Sequence, residues 1–197
     1  MRFSLTQLIQ CLSQLIIVMG LVYSSSTLAS GEPRFSAGVI GSVGQGPMGN
    51  GADVPTRMML FTSASVFTGF NYKKIRLGAN YEYYRAGQTS DSSDVAGQNI
   101  SGSGQTPGVR LDYYDGVQSF GVIYRLYDTY ILERPTIQGL DVKYKAKSGF
   151  TVQYYRQFKK RFGFVIDFTS EEFDDSLTNK IKWNRIGLGL VFTNFTK

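Results

Sequence analysis

Apolar and polar residues alternate with a period of two along most of the chain, and windows of helical periodicity are almost absent. Such alternation puts successive side chains on opposite faces of a β-strand. Near the C-terminus, RIGLGLVF (185–192) sets Ile186, Leu188, Leu190 and Phe192 against Arg185, Gly187, Gly189 and Val191. A first strand sets Phe35, Ala37, Val39, Gly41 and Val43 against Ser36, Gly38, Ile40 and Ser42. Leu60, Ala64, Val66, Phe70 and Tyr72 line a second, and Ile75, Leu77, Ala79, Tyr81 and Tyr83 a third, with a Lys73-Lys74 turn between them. A fourth carries Phe120, Val122, Tyr124 and Leu126, and a fifth Leu140, Val142 and Tyr144. Lys147-Ser148-Gly149 reads as a hairpin into a sixth strand with Phe150, Val152, Tyr154 and Phe158; a seventh carries Phe162, Phe164, Ile166 and Phe168.

The stretches between are turn chemistry. GQGPMGNGADVP (44–55) is rich in Gly, Pro and Asn, and 86–108 is rich in Gly, Ser, Asp, Gln and Thr; both are expected to be solvated loops. The turn between Asp128 and Thr136 is not placed by the pattern, beyond Pro135 belonging at a turn or strand edge. The acidic SEEFDDSLTN (170–179) is expected to be a loop before the eighth strand. Eight strands joined in sequence suit an antiparallel up-and-down barrel, which removes exposed sheet edges.

A barrel can turn its apolar face inward, as in a soluble secreted ligand carrier of the lipocalin kind, or outward to lipid. Three features favour lipid. Phe70, Tyr72, Tyr81, Tyr83, Phe150, Phe158, Phe162 and Phe168 stand near strand ends, as in interfacial aromatic girdles. The opposite face mixes glycines (Gly78, Gly121, Gly163, Gly187, Gly189) with Arg76, Glu82, Arg125, Asp141, Lys143, Asp167 and Arg185. Those seven charges are expected to form a paired network in a narrow lumen, where small residues leave room for long ones. Thirdly, Arg185, Gly187, Leu190 and Phe192 fill in order the polar, glycine and two hydrophobic places of the C-terminal insertion signal of bacterial outer-membrane barrels, although five residues follow Phe192. The chain resembles the small eight-stranded outer-membrane barrels of the OmpA/OmpX-like class. The resemblance implies an all-β, eight-stranded antiparallel transmembrane barrel in the outer membrane, contacts with outer-membrane lipid and lipopolysaccharide, and handling by the barrel-insertion machinery.

The N-terminus agrees with export. Arg2, an apolar run LIIVMGLV (15–22) and a small-residue T-x-A site at Thr27 to Ala29 read as a signal peptide cleaved after Ala29, leaving one domain at 30–197. The apolar run is shorter than the about 20 residues of a membrane-spanning helix. Cys11, the single cysteine, lies in that leader. The net charge of +6 is spread along the chain without the basic stripe that nucleic-acid binding calls for.

Histidine is absent, which removes the side chain best suited to proton transfer near neutrality. The acidic cluster of Glu171, Glu172, Asp174 and Asp175, and the looser Asp91 and Asp94, read as solvated loop charge and match no calcium loop. No catalytic residue, metal or other cofactor is expected. GSVGQG (41–46) and SGSG (101–104) lead into no helix and so are not phosphate loops, and the sequons at Asn99 and Asn194 are not expected to be used in a bacterial outer-membrane protein. Function is expected to be structural or surface-interacting, with a lumen plugged by side chains and outer loops 44–57 and 86–117 as interaction sites. A narrow passive channel or small-ligand carrier, and the soluble secreted barrel, are the alternatives.

Overall fold

The computed structural model describes residues 34–49, 56–88, 101–126, 129–133, 142–159, 161–174 and 180–193. Among them are nine strand segments: β1 (Arg34–Gly49), β2 (Arg57–Tyr72), β3 (Ile75–Gln88), β4 (Ser101–Tyr114), β5 (Gln118–Arg125), β6 (Thr129–Glu133), β7 (Val142–Lys159), β8 (Phe162–Asp174) and β9 (Lys180–Thr193). All pairings are antiparallel, and β9 pairs back to β1, so the sheet closes on itself. β5 pairs with β4 through Gly108–Tyr114, and β6 with β4 through Ser101–Gln105. Both also pair with β7. They are two lengths of one barrel strand, so the wall has eight strands.

The expected count is right, but two of its members are not. The expected loop at 86–108 contains the end of β3 and most of β4. Lys147-Ser148-Gly149 is not a hairpin; a β-bulge between Ala146 and Ser148 lies inside one continuous strand, so the expected fifth and sixth strands are both β7. The extra residue of a bulge offsets the side-chain alternation. Tyr144 before it is accordingly buried, while Phe150 beyond it points outward. β1 runs on to Gly49 and β8 to Asp174, through stretches expected to be loop, and β6 occupies part of the unplaced stretch after Asp128.

Short connections at Lys73–Lys74, 115–117 and 160–161 share one end of the barrel with the start of β1 and the end of β9. Lys73 adopts φ 55° and Gly116 φ 102°, the left-handed backbone that tight hairpin turns use. The longer connections, 50–56, 89–100, 134–141 and 175–179, join strands at the opposite end. Of the expected interaction loops, 44–57 therefore shrinks to its middle. The segment 86–117 runs from the loop end across the wall to a short turn.

Ile186, Leu188 and Leu190 are 57 %, 57 % and 64 % exposed, so the apolar face lies outside. This overturns the soluble secreted alternative, which requires that face inside. All eight expected girdle aromatics are exposed. Phe70, Tyr72, Phe158 and Phe162 stand beside the short turns, and Phe150 lies eight residues up β7 from Phe158. At about 3.3 Å per residue and a tilt near 40°, eight residues climb about 20 Å, close to the about 25 Å apolar band of membrane barrels. The strands continue beyond that second level toward the loop end.

Candidate functional site

The barrel interior is the place where polar and charged side chains converge, and its contents lie in layers. Nearest the loop end is an apolar layer of Met48, Met59, Phe61, Tyr84, Ala86, Tyr144, Phe173, Ile181 and Trp183. Alternation on six strands delivers these residues inward, and Trp183 meets Tyr84 and Phe61 edge-on at 5.4 Å and 5.9 Å. Gly104 faces Tyr84, and a Cβ there would strike its ring, so β4 is small where β3 is large.

Below it lies an ionic layer of two glutamates and two arginines. Arg125 donates from Nη1 to Glu82 Oε2 at 2.5 Å and from Nη2 to Thr106 Oγ1 at 2.8 Å, and its Nε meets Glu171 Oε1. Arg185 Nη2 lies 3.0 Å from Glu82 Oε2 and 3.6 Å from Glu171 Oε2. Each arginine thus contacts both carboxylates, and these four charges balance, with the Asp167 carboxylate lining the same small cavity as Glu82 and Arg125. The Arg185 guanidinium also stacks 4.4–4.8 Å from the ring centres of Tyr84, Trp183 and Phe61, which ties this layer to the apolar one above. Thr151 and Thr169 share a 2.8 Å hydrogen bond beside Arg125. A cavity of about 20 Å³ among Asn80, Gln153, Asp167 and their neighbours has room for a single water, which needs about 10–15 Å³.

A second apolar layer follows, of Ile40, Phe67, Tyr155, Val165 and Val191. At its short-turn side Asp112 is bridged by Arg76 and Arg110, each at 2.7 Å. Both guanidiniums cover Phe67, at 5.0 Å and 4.4 Å from its centre.

The residues expected to form one lumen network are placed as follows. Glu82, Arg125 and Arg185 are brought together, and Asp167 points inward next to Gly187, where a Cβ would lie 2.8 Å from its carboxylate. Arg76 is buried but belongs to the separate Asp112 cluster. Asp141 and the side chain of Lys143 lie outside the described residues. Sequence reasoning missed Glu171, Arg110 and Asp112. Glu171 was read as solvated loop charge, yet it is 3 % exposed because β8 continues past Ser170 and turns it inward. Of the expected insertion signal, Arg185 and Gly187 face inward, Leu190 faces out, and Phe192 meets Phe162 edge-on at 5.1 Å between ring centres.

No protein-family model matches the chain, and no curated protein matches it in sequence. Among solved structures, Neisserial surface protein A (NspA) is similar at TM-score 0.58 and 7% identity, over 79% of this chain and 96% of that one. Ail, the attachment invasion locus protein of Yersinia pestis, is similar at TM-score 0.52 and 12% identity, over 81% of this chain and 97% of Ail. Ail in complex with the heparin analogue sucrose octasulfate gives TM-score 0.50 and 14% identity, over 83% of this chain and 99% of Ail. At these identities the likeness is one of fold, and with the closed wall and its apolar exterior it makes this chain a small, eight-stranded antiparallel transmembrane β-barrel.

Proposed function

We propose that the chain resides in the bacterial outer membrane as a sealed, non-catalytic barrel, and that it works as a rigid scaffold presenting its longer connections to the surface. The observation that carries this reading is the layered filling of the bore. Among the described residues an apolar layer lies at each side of the ionic layer, and the cavity between them has room for one water, where a channel needs a file of them. The carboxylates of the two clusters are each engaged by arginine inside the filled bore, and the chain has no histidine to shuttle protons. The connections 50–56 and 89–100 are the parts of the expected interaction loops that remain available for binding, since function commonly sits on loops held by a rigid frame. Outer-membrane lipid and lipopolysaccharide are the proposed surroundings. Arg185, Gly187, Leu190 and Phe192 are proposed as the strand that the insertion machinery reads.

Single-channel recording in planar bilayers tests the sealed bore. The expected result is silence for the wild type, and silence also for Arg76→Ala, because both apolar layers and the Glu82/Glu171 layer survive that change. Discrete steps from the wild type would refute the scaffold reading in favour of a narrow passive channel.

A further inference from the structure

Cations and carboxylates are distributed unevenly between the two ends of the wall. At the loop end they face one another across strands: Lys182 stands 3.9 Å from Glu172, and Asp174 pairs in register with Lys145 on one side and Lys180 on the other. At the short-turn end Lys73, Lys74, Arg156 and Lys159 are exposed, and among the described residues the exposed carboxylate there is Asp115 alone. That carboxylate is committed to its own turn, where it accepts from the backbone N–H groups of Val117 and Gln118 and from the Gln118 side chain. Four cations thus face one occupied acid.

Arg156 is the member of this group placed against the membrane. On β7 the buried Gln153 and Tyr155 alternate with Tyr154, Arg156 and Phe158, which face outward. In register beside Arg156 stand Gln118 of β5 and Phe164 of β8. The Gln118 amide is itself taken, by Asp115 at 3.0 Å and by the Tyr154 hydroxyl at 2.9 Å. Arg156 is therefore an outward cation flanked by Tyr154, Phe158 and Phe164, two residues and about 5 Å up the wall from Phe158. Among the described residues no carboxylate pairs with it. A long side chain at such a depth reaches back to the headgroup level. Lys73 and Lys74 lie over the rings of Tyr72 and Tyr113, 5.4 Å and 5.9 Å from their centres, which keeps both ammonium groups at the aromatic level. The Tyr114 amide donates to the Lys74 carbonyl at 2.7 Å and the Gln157 amide to that of Val117 at 2.8 Å, so neighbouring turns are tied into one rim.

We infer that this rim is a binding surface for anionic phospholipid of the leaflet around the short turns, with the Arg156 guanidinium on a headgroup phosphate and Lys73, Lys74 and Lys159 favouring a lipid of net negative charge. The inference rests on the outer-membrane reading above and deepens it, by adding a lipid preference at the end opposite the longer connections. Short turns of outer-membrane barrels face the periplasm, where the leaflet is phospholipid. A planar donor fork suits a phosphate, and each basic residue close to an anionic surface adds attraction. The flanking aromatics set the fork where headgroups meet acyl chains. A soluble acidic partner would meet the turn tips but not Arg156 on the wall.

The test is native mass spectrometry of the folded barrel in detergent, titrated separately with phosphatidylglycerol and with phosphatidylcholine, which shares the phosphate but carries no net charge. Phosphatidylglycerol is expected to be retained about tenfold more tightly. Arg156→Gln is expected to weaken its retention about tenfold, and Arg156→Lys to recover only part of that loss. Lys73→Gln combined with Lys74→Gln is expected to remove most of the preference for the anionic lipid. Lys182→Gln, which takes one cation from the loop end, is expected to change nothing. A heat-dependent gel shift confirms that each variant is folded, and if one set does not fold the other decides. Equal retention of the two lipids, retention unchanged in Arg156→Gln, or an equal loss in Lys182→Gln would overturn the inference. Bilayer recordings on the same preparation read the sealed bore separately, so a silent barrel without a lipid preference fails here and not there.

Discussion

Arg125 contacts two glutamates and two threonines within the bore, and its side chain is 2 % exposed. Replacing it by methionine keeps most of its volume and removes its charge. Glu82 and Glu171 would then share Arg185 alone, leaving one negative charge in excess inside the wall. Breaking a buried pair by removing one partner costs about 3–5 kcal/mol, because the remaining charge stays desolvated. Both glutamates keep a second arginine, so the lower end, about 3 kcal/mol, is expected. The assay is reversible urea unfolding in lipid vesicles, followed by fluorescence of Trp183. It is the single tryptophan of the chain, is fully buried, and lies against the Arg185 guanidinium. Adding Glu171→Gln to Arg125→Met restores charge balance as Glu82–Arg185 and is expected to recover about 2 kcal/mol, whereas independent sites would simply add. A loss under about 1 kcal/mol for Arg125→Met, or strict additivity in the double variant, would refute the ionic layer as a structural unit.

Other expectations follow from the wall and its turns. In the turn after β4, Asp115 Oδ1 accepts hydrogen bonds from the N–H groups of Gln118 and Val117, at 2.9 Å and 3.0 Å. These bonds, that from Gln118 first, hold the Asp115 carboxyl below its ordinary pKa. The stabilisation is therefore present above the unfolded value of about 3.9 and is lost as pH falls through the lower folded value; amide shifts of Val117 and Gln118 in micelles should titrate below about 3.9, and a midpoint above it would contradict the bond. Gly78→Ala puts a Cβ onto the Thr68 carbonyl and is expected to cost about 1–3 kcal/mol, while Gly41→Ala meets nothing within 4 Å and should stay within about 0.5 kcal/mol, both read by urea unfolding. Ile166, outward and between Phe162 and Phe168, is expected to cost about 2–4 kcal/mol on change to arginine if lipid is its solvent, and near nothing if water is.

Much of the wall was legible along the chain. Phe120, Val122 and Tyr124, or Ile186, Leu188 and Leu190, declare their face because lipid selects apolar residues at every second position. β4 was not legible, for the same reason inverted. At Ser101–Gly108 its outward residues are polar or proline, beyond the greasy band, and its inward ones are glycine and threonine that make way for Tyr84 and Arg125. A strand with no apolar face has no periodic signal. β7 hid a bulge for a related reason: Lys147-Ser148-Gly149 is turn-like in composition, and whether it turns or bulges depends on the β8 strand opposite it. Glu171 sat in an acidic run that looked solvated, and its burial follows from pairing with Trp183 of β9 rather than from its neighbours in sequence.

By itself, then, the sequence determined that this is an all-β chain with a lipid-facing side and a polar, glycine-rich side, because strand geometry converts a local period of two directly into faces. Tertiary structure decided which charges meet. Glu82 and Arg185 are 103 residues apart and come together only after β1 closes onto β9 in one register, while Arg76, a close sequence neighbour of Glu82, falls into a different layer. Closure and shear are properties of the whole ring of strands, and no short window of sequence encodes them.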